Sequence, residues 1–428
     1  MFTTKGPIIT LCNISEEIHL KENQHIELTS DPLNLNKSFL QCDYPQLCQS
    51  VKVGSSLIMC NKHDPEVRFE ITKVDRAYSV IIIKALNEGK ITPHPHTKIF
   101  LPFVDLQMPT ITSEDEKTIE KFVLKEGVDM IALSYVRSHQ DISEIRDTLG
   151  PRGSLIKIIA KIDNIIGLQN FDEILAESDG IMIARGRLCY ELPEEKLFKA
   201  QKLMIEKAKR AIKPVITSTQ MLESMTFSHR PTLAEVTDVA NAVIDGSDCV
   251  LLSNETAKGI HPLEALETMI RICVEAEQCI YYIKSFELAK SNIISSKSDN
   301  LSERKEKLTK PEVICRIAVS LAEDMGASLI VVITETGLTV RLLAKYRPKQ
   351  IILALCVSTS VIRQLKITRG VISLKIPSFL GCENLIKQSI FFAKENGYIH
   401  QGDKIICILG EYEETPDYAN TIKITNVC

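Results

Sequence analysis

The chain has no block of lysines and arginines, and its formal net charge is only −4 over 428 residues. That sets aside nucleic acid and acidic membrane surfaces as partners. No apolar run reaches membrane-spanning length, and the opening "MFTTKGPIITLC" lacks the charged and apolar regions of a secretory leader. The cytoplasm is the expected compartment, with no membrane association. Thirteen cysteines form no CxxC pair, which excludes a disulfide framework or a cysteine zinc site and predicts reduced, mostly buried thiols. The "PHPH" pair, His94 and His96, lacks a third ligand at suitable spacing and reads as a polar loop. What is present is 44% apolar content, enough for a large core and for two or three domains.

Between Ser113 and Ile260 one pattern repeats: a short apolar run, a turn, an amphipathic helix, then another run. The first helix is expected to open with a capping box of Ser113 and Glu116 and to stop at Gly127. The runs are "VDMIALSYV" from Val128, "LIKIIAKID" from Leu155, "GIMIARG" from Gly180, "PVITSTQ" from Pro214 and "DCVLLSN" from Asp248. Five strands, each followed by a helix, predict βα units of a parallel sheet. Their uninterrupted apolar character predicts cover on both faces, as in a (β/α) barrel of the TIM type. Residues 7–101 differ: Val67, Phe69 and Ile71 alternate with Arg68, Glu70 and Thr72, and no long amphipathic helix intervenes. This predicts an inserted β-rich domain. Residues 285–310 read as a polar linker, and beyond Pro311 the alternation resumes as a doubly wound α/β domain. The expected division is a barrel domain of 1–6 and 102–284, the insert of 7–101, the linker, and a C-terminal domain of 311–428.

Polar residues collect at the C-terminal ends of the barrel runs, the catalytic face of such a barrel: Arg137, Lys161 with Asp163, Arg185 with Arg187, Thr219, and Ser253 with Glu255. Lys161 and Asp163, two apart on a strand, project together. They suit either a carboxylate for a hard divalent ion beside a lysine that neutralises an oxyanion, or a mutual ion pair. Thr219 and Ser253 suit either a bound phosphate or carboxylate, or the capping of the helices that follow. The rim as a whole is cationic and rich in donors, which favours a small anionic ligand.

Read in order, "TKGP" from Thr4, "LSYVR", "IAKIDN", "FDEILAESDGIMIARG", "KPVITSTQMLESM" and "RPTLAEVTDVANAVIDGSDCVLLSNETAKG" resemble the pyruvate kinase family. The resemblance implies a (β/α) barrel, an inserted β-barrel lid and a C-terminal α/β domain, usually in a homotetramer. It implies transfer of the phosphoryl group of phosphoenolpyruvate to ADP, giving pyruvate and ATP in the last step of glycolysis, with Mg2+ and K+. It places Lys161 at the enolate, Thr219 beside the methylene carbon that is protonated, and Arg137 in the motif after the fourth strand. Ala184, Arg185, Ser253 and Glu255 fall among its substrate-binding positions. The main-chain N–H groups of Gly186 and Arg187 fall where the substrate carboxylate is held.

Two departures shape the expectation. The family pattern supplies two carboxylates to Mg2+, whereas here the first is the shorter Asp163 and the second is replaced by Arg187. A cation roughly 4 Å from a divalent ion costs on the order of several kcal/mol even at an effective dielectric of about 20. Phosphoryl transfer depends on such charge neutralisation. Arg187 suits, alternatively, a clamp on phosphate oxygens. The chain also begins almost on top of "TKGP", ahead of which the family has a helix and two strands that carry a phosphate-binding arginine and K+ ligands. The barrel is therefore expected to lack its first strands. The resulting expectation is weak or lost catalysis, a pseudoenzyme. The alternatives are a fully active pyruvate kinase, or a non-catalytic anion-binding or oligomer-forming partner of an active paralogue. In the C-terminal domain, Thr334, Thr336, Gly337 and Thr339 of "TETGLT" suit the phosphate of an allosteric sugar or a helix cap. The acidic "EYEETPDY", with Glu411, Glu413, Glu414 and Asp417, predicts no response to fructose bisphosphate.

Overall fold

The computed structural model describes residues 1–12, 14, 16–31, 39–60, 66–91, 97–280, 308–410 and 417–427. The "PHPH" pair, most of the polar stretch 285–310, and Glu411, Glu413 and Glu414 lie outside the described residues.

Six parallel strands form a curled sheet in the order β1 (Phe2–Thr3), β2 (Met130–Leu133), β3 (Lys157–Ile162), β4 (Gly180–Ala184), β5 (Val215–Ser218) and β6 (Cys249–Leu251). Alternation sorts their side chains. Ile131, Leu133, Ile158, Ala160, Ile162, Ile181, Ile183 and Val215 pack against the helices, while Met130, Ala132, Ile159, Met182 and Ile216 pack on one another along the inner side. Both sets are apolar, which is why the runs read as continuous. Among the described residues the sheet ends at β1 and β6, so it is half of a barrel. β1 adds a sixth strand to the five runs: Phe2 and Thr3 stand opposite Ile131 and Ala132.

The first helix of this domain, Ser113–Thr118, is capped by Thr112 and Asp115 rather than by Ser113 and Glu116. The Thr112 hydroxyl accepts from the Asp115 N–H at 3.1 Å, and the Asp115 carboxylate accepts from the Thr112 hydroxyl at 2.8 Å. The same carboxylate accepts from the N–H groups of Lys5 (2.8 Å) and Gly6 (3.1 Å), so the cap also holds the "TKGP" turn. Gly6 has φ +64, and a Cβ there would lie 3.0 Å from the Ser134 Cβ. The backbone needs glycine at that position.

The insert is a seven-stranded sheet built on the long Val67–Asp75 strand, whose Val67, Phe69 and Ile71 are buried, with a separate antiparallel pair of Ile18–Leu20 and Gly89–Ile91. Its helical content among the described residues is the four-residue turn Leu47–Ser50. The C-terminal domain is a five-stranded sheet in the order Val371–Lys375, Ile351–Cys356, Leu329–Ile333, Lys404–Gly410, Ala419–Asn426, with the last strand antiparallel. Helices cover both faces: Ile330, Val332, Ile352 and Ile406 belong to one core, Leu329, Val331, Leu353 and Ile405 to the other.

This domain docks on the amino ends of the barrel strands. Arg347 donates from Nη1 to Asp248 at 2.8 Å and from Nη2 to the Gly246 carbonyl at 2.6 Å. Arg363 reaches Asp129 at 2.7 Å. The opposite ends of the strands stay free for the insert and the cleft beneath it.

Candidate active site

Each barrel strand delivers one element to its carboxyl end. Ser134 follows β2, Lys161 lies near the end of β3 and Asp163 just past it, Arg185 to Glu191 form the helix after β4, Thr219 follows β5, and Ser253 follows β6. The lid closes over them where Phe100 stacks on Tyr190 with ring centroids 5.1 Å apart. Beneath it is a narrow cleft lined by Phe100, Tyr135, Asp163, Arg187, Tyr190 and Glu191 among others.

Lys161 donates to the Ser134 hydroxyl at 3.0 Å. Ser134 in turn donates to the Thr4 carbonyl at 2.7 Å, and its N–H donates to the Thr4 hydroxyl at 2.9 Å. "TKGP" is therefore a brace for the lysine. Burial pulls the Lys161 ammonium below its ordinary value, the Asp163 charge opposes this, and Arg187 adds to it. The expected alternative of a mutual Lys161–Asp163 ion pair does not form, because Arg187 takes the partner position, its Nη1 3.8 Å from Asp163 Oδ2. That separation is an ion pair without a hydrogen bond. Asp163 Oδ1 accepts from the Asn164 amide at 3.3 Å, while the buried Oδ2 has no hydrogen-bond partner. The Arg187 guanidinium sits 5.7 Å from the Phe100 ring centroid, in a cation–π contact.

Four residues on from Arg187, one helical turn, Glu191 lines the same cleft. One of its oxygens accepts from the Ile165 N–H at 2.6 Å. Burial pushes its carboxyl up to about 7; the Ile165 N–H opposes this, the charge of Asp163 raises it further, and Arg187 lowers it. A raised carboxyl beside a second carboxylate in a cleft makes Glu191 a candidate functional group. Sequence reasoning missed Glu191, whose one signal is its spacing from Arg187. It also missed Ser134, an ordinary hydroxyl within "LSYVR".

Thr219 is held at φ +68 and Gln220 at φ +53. Positive φ is unfavourable for a β-branched residue and is retained where surrounding bonds fix it. The Thr219 hydroxyl accepts from the Gly186 N–H at 2.8 Å and donates to the Ser218 carbonyl at 2.6 Å.

Several expected substrate contacts have internal uses instead. Gly186 gives its N–H to Thr219, so it is not an open donor for a carboxylate. The buried Arg185 guanidinium pairs with Asp238 at 2.7 Å and donates to the Thr219 and Gln220 carbonyls, fixing the β5 turn. Arg137 donates to the Leu106 and Met108 carbonyls at 2.7 and 3.0 Å, pinning the segment that returns from the lid. Glu255 is fully buried and accepts from the N–H groups of Leu222 (3.0 Å) and Ser253 (2.7 Å). Ser253 makes no side-chain cap, and Ala184 is the buried last residue of β4. The groups that do share the cleft are Asp163, Arg187 and Glu191, with Lys161 and Thr219 on the adjoining strand ends.

In the C-terminal domain the "TETGLT" donors are already taken. Asp417 accepts from the Thr336 N–H (2.8 Å), the Thr336 hydroxyl (2.6 Å) and the Thr339 hydroxyl (3.4 Å), and Thr334 also donates to it. Gly337 gives its N–H to Thr334 at 2.9 Å.

Comparison with known proteins agrees with this architecture. Residues 1–266 match the model of the pyruvate kinase barrel domain and residues 312–425 that of the pyruvate kinase alpha/beta domain. The chain belongs to the pyruvate kinase family. It is 41% identical to pyruvate kinase of Eimeria tenella, over 99% of this chain and 77% of that relative. It is 37% identical to pyruvate kinase of Dictyostelium discoideum, over 100% of this chain and 82% of that relative. A crystal structure of a pyruvate kinase from Cryptosporidium parvum superposes with a TM-score of 0.88 at 39% identity, covering 100% of this chain and 83% of that one. A second structure of that organism's pyruvate kinase, in complex with ADP, gives a TM-score of 0.85 at 39% identity. Among the described residues of this pyruvate kinase relative, no helix is long and apolar enough to cross a membrane.

Proposed function

We propose that this protein transfers the phosphoryl group of phosphoenolpyruvate to ADP, with Asp163 and Glu191 as the carboxylates that hold the divalent ion. The observation that carries this is the buried Asp163 Oδ2, which accepts no hydrogen bond and has only the Arg187 guanidinium 3.8 Å away, at a cleft that a second carboxylate also lines. Two carboxylates beside an open cleft suit a hard cation such as Mg2+. When bound, that cation supplies charge neutralisation for the phosphates. K+ is expected on the family resemblance.

The remaining roles belong to this chain's own groups. Lys161, fixed by Ser134 and Thr4, opposes the negative charge that grows on the enolate oxygen as the phosphoryl group leaves. The Thr219 hydroxyl, fixed by Gly186, stands where a proton is moved to the methylene carbon in the family. Arg187, braced on Phe100, offers a planar donor fork to a phosphate oxygen at the edge of the cleft. The reading of a silent relative rests on Arg187 at a ligand position. Glu191, one turn further along the helix, offers a second carboxylate in its place. Leu263, Leu266, Ile270 and Val274 form an exposed apolar stripe along the Pro262–Gln278 helix, which supports assembly with a second copy.

The test is pyruvate formation from phosphoenolpyruvate and ADP by the folded native chain with Mg2+ and K+. Turnover that requires Mg2+ supports the proposal. A folded, Mg2+-replete chain that forms no pyruvate above background would sink it.

A further inference from the structure

Away from the cleft, two loops at the carboxyl ends of β5 and β6 bring three ligand-type side chains together. His229 lies in the loop that precedes the Leu233–Asp245 helix, His261 immediately precedes the Pro262–Gln278 helix, and Glu264 lies in the first turn of that helix. The loops are tied to each other: the Ile260 N–H donates to the Thr226 carbonyl at 3.1 Å. The turn carrying His229 is fixed by Ser228, whose hydroxyl donates to the Arg230 carbonyl at 2.9 Å and accepts from the Arg230 N–H at 3.2 Å.

The two imidazoles approach to 3.5 Å between ring centroids, inclined at 36°. His261 Nδ1 is 4.0 Å from Glu264 Oε1. One ligating atom from each of His229, His261 and Glu264 lies within 4.8 Å of the others. Metal–ligand bonds of about 2.0–2.1 Å place tetrahedral ligand atoms roughly 3.3 Å apart. Closing that gap requires the two stacked rings to turn apart so that one nitrogen of each faces a shared point, next to a His261 side chain that is 14% exposed.

We propose that His229, His261 and Glu264 form a binding site for one transition-metal ion of the Zn2+ class, with water in the fourth position. Two imidazole nitrogens and one carboxylate select Zn2+ or Co2+ over Mg2+, which prefers oxygen ligands. The site is therefore separate in chemistry, as it is in place, from the pair Asp163 and Glu191. Its bound ion joins the loop of β5 to the helix after β6. Because the three ligands come together only in the folded chain, binding stabilises the fold.

The experiment titrates the metal-free full chain with Co2+ and then with Zn2+. The site gives one Co2+ per chain, with visible bands of a four-coordinate nitrogen and oxygen environment and no thiolate-to-cobalt charge-transfer band. Zn2+ displaces it and raises the melting temperature, and Mg2+ does neither. His229→Ala and His261→Gln each weaken Zn2+ binding by at least about 10- to 100-fold. Neither is expected to move the melting temperature without metal, since the His261 side chain makes no capping hydrogen bond to its helix. Failure to bind Co2+ at millimolar concentration overturns the proposal. So does a thiolate band, or a spectrum that survives both histidine variants.

Discussion

Asp248, at the amino ends of the barrel strands, gives one oxygen to Arg347 at 2.8 Å and the other to the Val215 N–H at 3.0 Å. Asp163, at the carboxyl ends, gives one oxygen to its neighbour Asn164, leaves the other without a hydrogen bond, and has Arg187 3.8 Å away. Both carboxylate side chains are buried and both face an arginine. The difference is in geometry. Where the two domains join, the carboxylate is fully hydrogen-bonded and contributes to the fold; at the cleft, one oxygen accepts no hydrogen bond and has only a distant arginine charge, at a cost in folding energy. A βα barrel separates stability and chemistry onto opposite ends of the same strands, and these two aspartates show that separation within one sheet.

The largest effect should come from breaking the satisfied end. Arg347→Met leaves Asp248 buried without its cation and should lower stability by about 3–5 kcal/mol, read as a fall in the urea midpoint. An unchanged midpoint would mean the domain junction carries no such pair. At the other end the pattern should invert. Asp163→Asn should reduce phosphoryl transfer by ~10²-fold or more while changing the melting temperature far less than Arg347→Met, since the oxygen it alters loses no hydrogen bond and only a 3.8 Å ion pair with Arg187. A strongly destabilised Asp163→Asn variant would count against the comparison.

A smaller effect is expected from Lys209 beside the same junction, where burial and then the Arg347 charge lower its ammonium from 10.5 to about 8. Below about pH 8 the folded protein must carry a charge its surroundings disfavour. Between about 8 and 10.5 the folded protein has released a proton that the unfolded chain still holds, so stability rises across that window. Lys209→Met should therefore stabilise the protein at pH 7 by on the order of 1–3 kcal/mol, a gain that fades by about pH 10.5. A gain independent of pH would assign the effect to packing instead.

The smallest expected effect is none. With Asp417 seated on the hydroxyls and N–H groups of "TETGLT", fructose bisphosphate at low millimolar concentration should leave the melting temperature unchanged. A clear rise would show that the carboxylate yields to a phosphate.

The strands were legible because both faces of each are apolar, and Lys161, Asp163 and Thr219 were legible because they close those runs. β1 is only two residues long, too short to show a period. The cap was placed one residue late because Thr112 and Ser113 both offer a hydroxyl; the choice is made by Asp115, whose carboxylate must also reach Lys5 and Gly6, more than a hundred residues away. Arg137, Arg185 and Glu255 look like ligand groups in a linear reading, but their partners are carbonyls, carboxylates and N–H groups that only the fold brings within reach. Glu191 was invisible for the opposite reason: its carboxylate gains its meaning from burial in the cleft and from Asp163, which the fold brings near from the end of β3.

The central claim is that two carboxylates, Asp163 and Glu191, sustain phosphoryl transfer despite Arg187. The most direct measurement is the rate of pyruvate formation from phosphoenolpyruvate and ADP with Mg2+, for the native chain beside Glu191→Gln and Arg187→Asp. The native chain should turn over, and Glu191→Gln should need at least about tenfold more Mg2+. A silent native chain that gains activity in Arg187→Asp would contradict the claim.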